Sequence, residues 1–178
     1  MRAFSKFAAT AGLAALLTVP ALLQARTGDQ LSPIQEKVRH AIAMMPYYGI
    51  FDDISFRVDG GVVTLMGEVT GPGFLKDQAQ NVVKNVEGVT AVHNNIEILP
   101  LSPMDDQIRA QMYHAIFQDP QLGKYSMGAR PPLHIIVKNG HVTLTGVVMN
   151  EMDRNLAYLR ANAVPGVFSV TNDLRVQP

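Results

Sequence analysis

The chain has 178 residues, 47% of them hydrophobic and 17% charged, with a formal net charge of zero. That balance excludes a disordered polymer and gives no general attraction to nucleic acid. Cysteine is absent, which excludes disulfides, thiolate zinc sites, cysteine nucleophiles and a lipid-modified N-terminal cysteine.

The first segment has the pattern of a secretory leader. Arg2 and Lys6 form a positive start, residues 8–23 are almost wholly apolar, and Ala25 offers a small residue for cleavage. Pro20 breaks the apolar run, and a retained anchor needs about 20 apolar residues. Residues 1–25 are therefore expected to be removed, leaving a chain exported to the periplasm.

Residues 31–100 come next. Ser32 before Pro33 is a helix start, and Ile34, Val38, Ala41, Ile42 and Met45 recur at helical spacing. Pro46-Tyr47-Tyr48-Gly49-Ile50-Phe51 is an aromatic loop. Ile54, Phe56 and Val58 alternate with polar residues as a half-buried strand does. Asp59-Gly60-Gly61 then turns the chain into Val63, Leu65 and Gly67. Leu75, Ala79, Val82 and Val86 mark a second helix, and 92–99 a third strand. Pro100-Leu101-Ser102-Pro103 is a short stiff linker.

Residues 103–178 repeat the order helix, strand, strand, helix, strand. Asp105 or Asp106 can cap a helix through Ile108, Met112, Ala115 and Ile116. Lys138-Asn139-Gly140 is a tight-turn signal between Ile135/Val137 and Val142/Leu144. The segment Gly61 to Val69 and the segment Gly140 to Val148 both read G-x-V-T-L-x-G-x-V, at an offset of 79 residues. The first helices match at an offset of 74, so the second copy carries about five extra residues near Ser126 to Arg130. The last helix has two possible registers. An offset of 77 turns Met152, Leu156, Leu159 and Ala163 inward, whereas one of 78 buries Ala157, Ala161 and Val164 and exposes Leu156 and Leu159.

The doubled motif, followed each time by a helix and then G-V-x-x-V-x-N (Gly88 to Asn94, Gly166 to Asn172), resembles the BON domain of bacterial cell-envelope proteins. The resemblance covers the chain from about Leu31. It implies an α+β fold of two tandem αββαβ modules, each a small mixed three-stranded sheet with two helices on one face. It further implies a periplasmic protein of the osmotically inducible type, linked to osmotic or envelope stress. Such proteins bind phospholipid or other envelope components, or assist the folding of exported proteins. It supplies no catalytic residues and no cofactor.

The residues themselves agree on the absence of chemistry. Gly71-Pro72-Gly73 lacks the third glycine of a dinucleotide turn, and the glycine spacing around Ser126 is wrong for a nucleophile elbow. His40, His93, His114, His134 and His141 form no ligand pair, so no metal is expected. Asp52-Asp53 is read as a solvated strand start and Asp105-Asp106 as a helix start. No enzyme is expected.

Two surfaces are candidates. Residues 31–100 hold 5 basic and 8 acidic residues, net −3, and 101–178 hold 7 and 6, net +1. The second copy is thus the better match to a membrane surface of anionic phospholipid, with Arg154, Tyr158 and Arg160 as contacts and Arg130 as a further one. The alternative is a protein-binding or chaperone-like module that meets envelope proteins through Tyr47, Tyr48 and Phe51.

Overall fold

The computed structural model describes residues 32–127 and 131–177. The leader expected at 1–25 and the candidate Arg130 lie outside the described residues. Residues 31–178 form one compact unit, built from two modules of the same design.

Module 1 runs α1 (Pro33–Ala43), β1 (Asp53–Asp59), β2 (Val62–Val69), α2 (Phe74–Lys84), β3 (Ala91–Asn94) and β4 (Glu97–Ile98). Ser32 and Gln35 form a reciprocal capping box at the start of α1. β1 and β2 pair antiparallel around the predicted turn. β3 and β4 then both run parallel to β2, so the sheet is mixed. Val38 and Ile42 from α1, Val63 and Leu65 from β2, and Leu75, Ala79 and Val83 from α2 meet in the core.

Module 2 repeats this with α3 (Pro103–Phe117), β5 (Leu133–Lys138), β6 (His141–Val148), α4 (Glu151–Asn162), β7 (Ser169–Asn172) and β8 (Arg175–Val176). A short 3-10 turn, Gly123–Ser126, follows α3. β5 is antiparallel to β6, and β7 and β8 are parallel to it. The fold is therefore the expected α+β pair of αββαβ modules.

The final strand of each copy is interrupted, and the interruption explains the asparagine of the repeat. Asn94 Nδ2 donates to the Lys76 carbonyl of α2 (2.9 Å), and its Oδ1 accepts from Ile96 N–H (3.2 Å). Asn172 does the same with the Arg154 carbonyl (3.1 Å) and Leu174 N–H (3.3 Å). Each asparagine pins helix to strand and turns the next aliphatic residue, Ile96 or Leu174, into the core.

Two carboxylate pairs are placed differently from the sequence expectation. α3 is capped by Ser102, whose Oγ accepts from Asp105 N–H (3.2 Å), so the helix starts earlier than a cap at Asp105 or Asp106 would allow. The Asp105 carboxylate is buried and instead accepts from Asn139 N–H (2.9 Å) and Gly140 N–H (2.8 Å) in the β5–β6 turn. Asp52 is no solvated strand start. It is buried and accepts from Gly49 N–H (3.0 Å), Thr70 N–H (2.7 Å) and Thr70 Oγ1 (2.8 Å), tying the aromatic loop to the end of β2. A single sequence hides such roles because the partners are backbone amides distant along the chain.

The two modules are joined along β5. Ile135 N–H donates to the Ile50 carbonyl (2.7 Å), and His134 Nδ1 lies 3.2 Å from the Gly49 carbonyl. On the same face of β5, Lys138 reaches Glu97 (2.7 Å) and Glu68 (3.6 Å). Ile136 lies between His134 and Lys138 on that face and is 2% exposed. Its counterpart at an offset of 79 is Arg57, which is exposed on the open sheet face of module 1. One copy thus keeps the polar outer face of its first strand, and the other has traded it for a docking face.

Candidate interaction surfaces

α4 carries three of the residues expected to meet lipid. Asn150 caps it, with Oδ1 accepting from Asp153 N–H (2.8 Å). Asp153, Ala157 and Ala161 point inward, so the register is the one at an offset of 78. That register places Asp153 where module 1 has the core residue Leu75. Leu159 (64%) and Met152 (69%) are left exposed.

A carboxylate in a leucine position needs partners, since an unpaired buried charge costs several kcal/mol. Asp153 has them. Tyr125 Oη donates to it (2.5 Å), and Lys124 Nζ lies at 2.7 Å. Tyr125 Oη in turn accepts from Met149 N–H (2.8 Å). Met149 is the counterpart of Thr70 at an offset of 79, so the amide satisfied by Asp52 in module 1 is satisfied by Tyr125 in module 2. Burial pushes Asp153 up, but the hydrogen bonds from Lys124 and Tyr125 outweigh it and hold the carboxyl below its ordinary value. Asp119 is also held low, first by Gln121 N–H (2.8 Å) and then, against its own burial, by Arg160 (2.8 Å) and Leu122 N–H (3.3 Å).

A depressed carboxylate contributes stability above its unfolded pKa and loses it as pH falls through the lower folded value. The urea midpoint is therefore expected to fall on acidification through and below the ordinary carboxylate range. Asp153→Asn should flatten part of that slope while lowering stability near neutral pH by about 1–3 kcal/mol, because Tyr125 and Lys124 lose an ionised acceptor. Denaturation curves at several pH values measure both.

The arginines of α4 are ion-paired. Arg154 reaches Glu151 (3.2 Å), and Arg160 holds Asp119 through Nε and a terminal nitrogen, both at 2.8 Å. Tyr158 is exposed between them. Arg160 also borders a shallow groove of about 550 Å³ between α3 and α4, with His114, Ala115, Gln118, Asp119 and Val164. In module 1 the matching positions carry other residues. Met45 and Val82 stand where module 2 has Asp119 and Arg160, and a Lys37–Glu87 ion pair (2.5 Å) stands where it has Gln111 and Pro165.

The other three candidates separate in space. Tyr48 packs on the module 1 core, its Oη accepts from Ile54 N–H (3.2 Å), and burial pushes its hydroxyl up to about 12. Its ring also lies 5.5 Å from that of His134 across the joint. Phe51 packs against the module 2 core with Ile50. Tyr47 alone faces solvent, 81% exposed, with its ring edge-on to Phe74 at 5.9 Å.

Sequence reading missed Asp119, Asp153 and Phe74. The signal for the first two was present: each is a polar residue aligned with a core residue of the other copy, Met45 and Leu75. Among the described residues no group of three histidines or carboxylates could hold a metal ion, and no helix is long and apolar enough to cross a membrane.

Comparison with known proteins accords with this architecture. The BON domain matches residues 30–100 and again 105–178. Over 134 residues the chain is 30% identical to "Osmotically-inducible protein Y" of Escherichia coli (strain K12), an overlap of 70% of this chain and 62% of that protein. The chain thus spans less than two thirds of that relative's length. Among solved structures, the C-terminal domain of CdsD, the structural protein of the type III secretion system of Chlamydia trachomatis, aligns at 13% identity. That alignment covers 84% of this chain and 100% of the other, with a TM-score of 0.33. A second CdsD structure aligns at 13% identity over 80% and 91%, with a TM-score of 0.27. On the two domain matches, the chain belongs to the BON domain family and carries the domain twice.

Proposed function

We propose that this is a non-enzymatic periplasmic protein that binds phospholipid, in particular anionic phospholipid, in envelope maintenance under osmotic stress. The stress assignment is supported by the name of its osmotically inducible relative and by the tandem BON domains. The observation that carries the lipid reading is the outer surface of α4, where Met152 and Leu159 stand exposed with Tyr158 and Arg160, and Arg154 is half-buried on the opposite flank of the helix. Aliphatic groups would enter the interface while arginine stems lie along it and their heads meet phosphates. Each arginine already has a carboxylate partner, so the apolar contribution is the larger one.

Co-sedimentation with liposomes tests this. Binding is expected at low salt and to rise with the anionic lipid fraction. Leu159→Asp should weaken it at least about tenfold, since losing one buried leucine costs about 1.5–3 kcal/mol. No binding by the wild-type protein at low salt overturns the reading.

A second reading, a protein-binding or chaperone-like surface, is favoured by the exposure of Tyr47 at a loop held rigidly by Asp52. It expects suppression of client aggregation without lipid and with little dependence on salt.

A further inference from the structure

Tyr47 has φ +68°, a left-handed conformation that a bulky side chain rarely adopts. Its ring is exposed, so burial in the core does not compensate the strain. A strained and exposed aromatic residue is a reason to look for a binding role. Tyr47 and Phe74 form one end of a shallow slot of about 360 Å³, and Asp77, Gln78 and Asn81 from α2 form its wall.

The wall and the rings point to one chemistry. Asp77 and Asp53 are the module 1 carboxylates that have neither an ion pair nor a side-chain hydrogen bond among the described residues, and Asp77 is the one in the slot. A carboxylate and two aromatic rings suit a flat cation that carries several N–H donors. A guanidinium fits better than an ammonium, because it can stack on a ring while its edge donates to oxygen. Module 1 is also the acidic half of the chain, net −3 over residues 31–100.

The second copy has none of this. Gln121, Met152, Asn155, Leu156 and Leu159 occupy the matching positions. The slot therefore belongs to module 1 and is not a consequence of the shared fold.

We propose that the Tyr47–Phe74 slot takes the guanidinium of an arginine in an extended segment of a partner protein. One ring face would hold the guanidinium plane, and Asp77 would pair with its charge. This rests on the protein-binding reading above and is independent of the lipid surface on α4.

The test is an NMR titration of the purified protein with acetyl-Gly-Arg-Gly-amide, with the citrulline peptide as an uncharged isostere. The arginine peptide is expected to shift the Tyr47 and Phe74 ring signals, and the citrulline peptide to bind at least tenfold more weakly. Asp77→Asn should weaken arginine binding at least fivefold. Tyr47→Gly, which relieves the strained φ, should abolish it without lowering the Tm. Phe168→Ala, at an exposed ring of module 2, should leave it unchanged. Equal binding of the citrulline peptide, or no effect of Asp77→Asn, overturns the proposal. If the protein suppresses client aggregation yet shows no shift at these signals, the slot assignment fails and the broader protein-binding reading stands. Absence of both overturns both.

Discussion

Gly146→Ala is expected to destabilise module 2 by more than about 4 kcal/mol, enough to unfold most or all of a module of ordinary marginal stability. Gly146 has φ +111°, and a Cβ there would lie 2.0 Å from the Pro132 carbonyl oxygen and 3.2 Å from Leu133 Cα. Those are backbone atoms of the neighbouring strand, which no rotamer change can move aside. β5 would have to separate from β6 where Leu133 pairs with Gly146, and Leu133 is a fully buried core residue. Gly67→Ala should do the same to module 1, where the Cβ would lie 2.2 Å from the Asp53 carbonyl oxygen. Gly60→Ala is the control. It also has positive φ, but nothing lies within 4 Å of its added Cβ, so a loss of about 1–2 kcal/mol is expected. Urea denaturation of the three variants measures these losses. Similar losses for Gly60→Ala and Gly146→Ala would remove close approach as the explanation.

That contrast gives the repeated motif a physical content. Its valines and leucines alternate into the core, as a strand pattern requires, and its second glycine is fixed by a neighbouring carbonyl. These features follow from local periodicity and from comparing the copies, so the hairpins, the order of the elements and most core residues were legible in the sequence. The misplaced details have a common cause. Asp153 stands in the position of Leu75, so hydrophobicity alone left the α4 register open between two offsets. Asp52 read as a solvated strand start and Asp105 as a helix start because their partners are the backbone amides of Thr70, Asn139 and Gly140, distant along the chain. The break after Asn94 was invisible because a side chain that bonds a distant helix carbonyl and the amide two residues on has no periodic signature. The candidate surfaces divided similarly. Exposure of Tyr158 and Leu159 follows from helix geometry once the register is known. The separation of Tyr47 from Tyr48 and Phe51 depends on a positive φ and on the docking of the second module.

Ile136→Arg is expected to pull the two modules apart without unfolding either. In module 2 the substitution restores what module 1 carries at Arg57, on the outer face of the same strand. An arginine there is therefore compatible with the sheet. It is not compatible with the joint. Ile136 is flanked on its face by His134 and Lys138, which contact Gly49 and Glu97, and it is buried nearly completely. An unpaired guanidinium held in that position would cost about 3–5 kcal/mol, whereas letting the face open to water removes the cost. Docking here is made by a few groups: one backbone hydrogen bond, the His134–Gly49 carbonyl contact, the Tyr48–His134 ring contact, the Lys138 ion pairs and the packing of Ile50 and Phe51. Exposed ion pairs add little to such a contact, so the buried aliphatic residues carry it, and opening becomes the cheaper response. Hydrogen exchange reads this directly, because Ile135 N–H is bonded to the Ile50 carbonyl across the joint (2.7 Å). In the variant that amide should exchange at least about a hundredfold faster, as a loss of about 3 kcal/mol of docking free energy requires. Amides inside β6 should keep their protection, and small-angle scattering should show a more extended particle. If β6 loses protection together with Ile135, the modules share one cooperative core and the joint is more than a docking face. If Ile135 stays protected, Ile136 is not what holds the modules together.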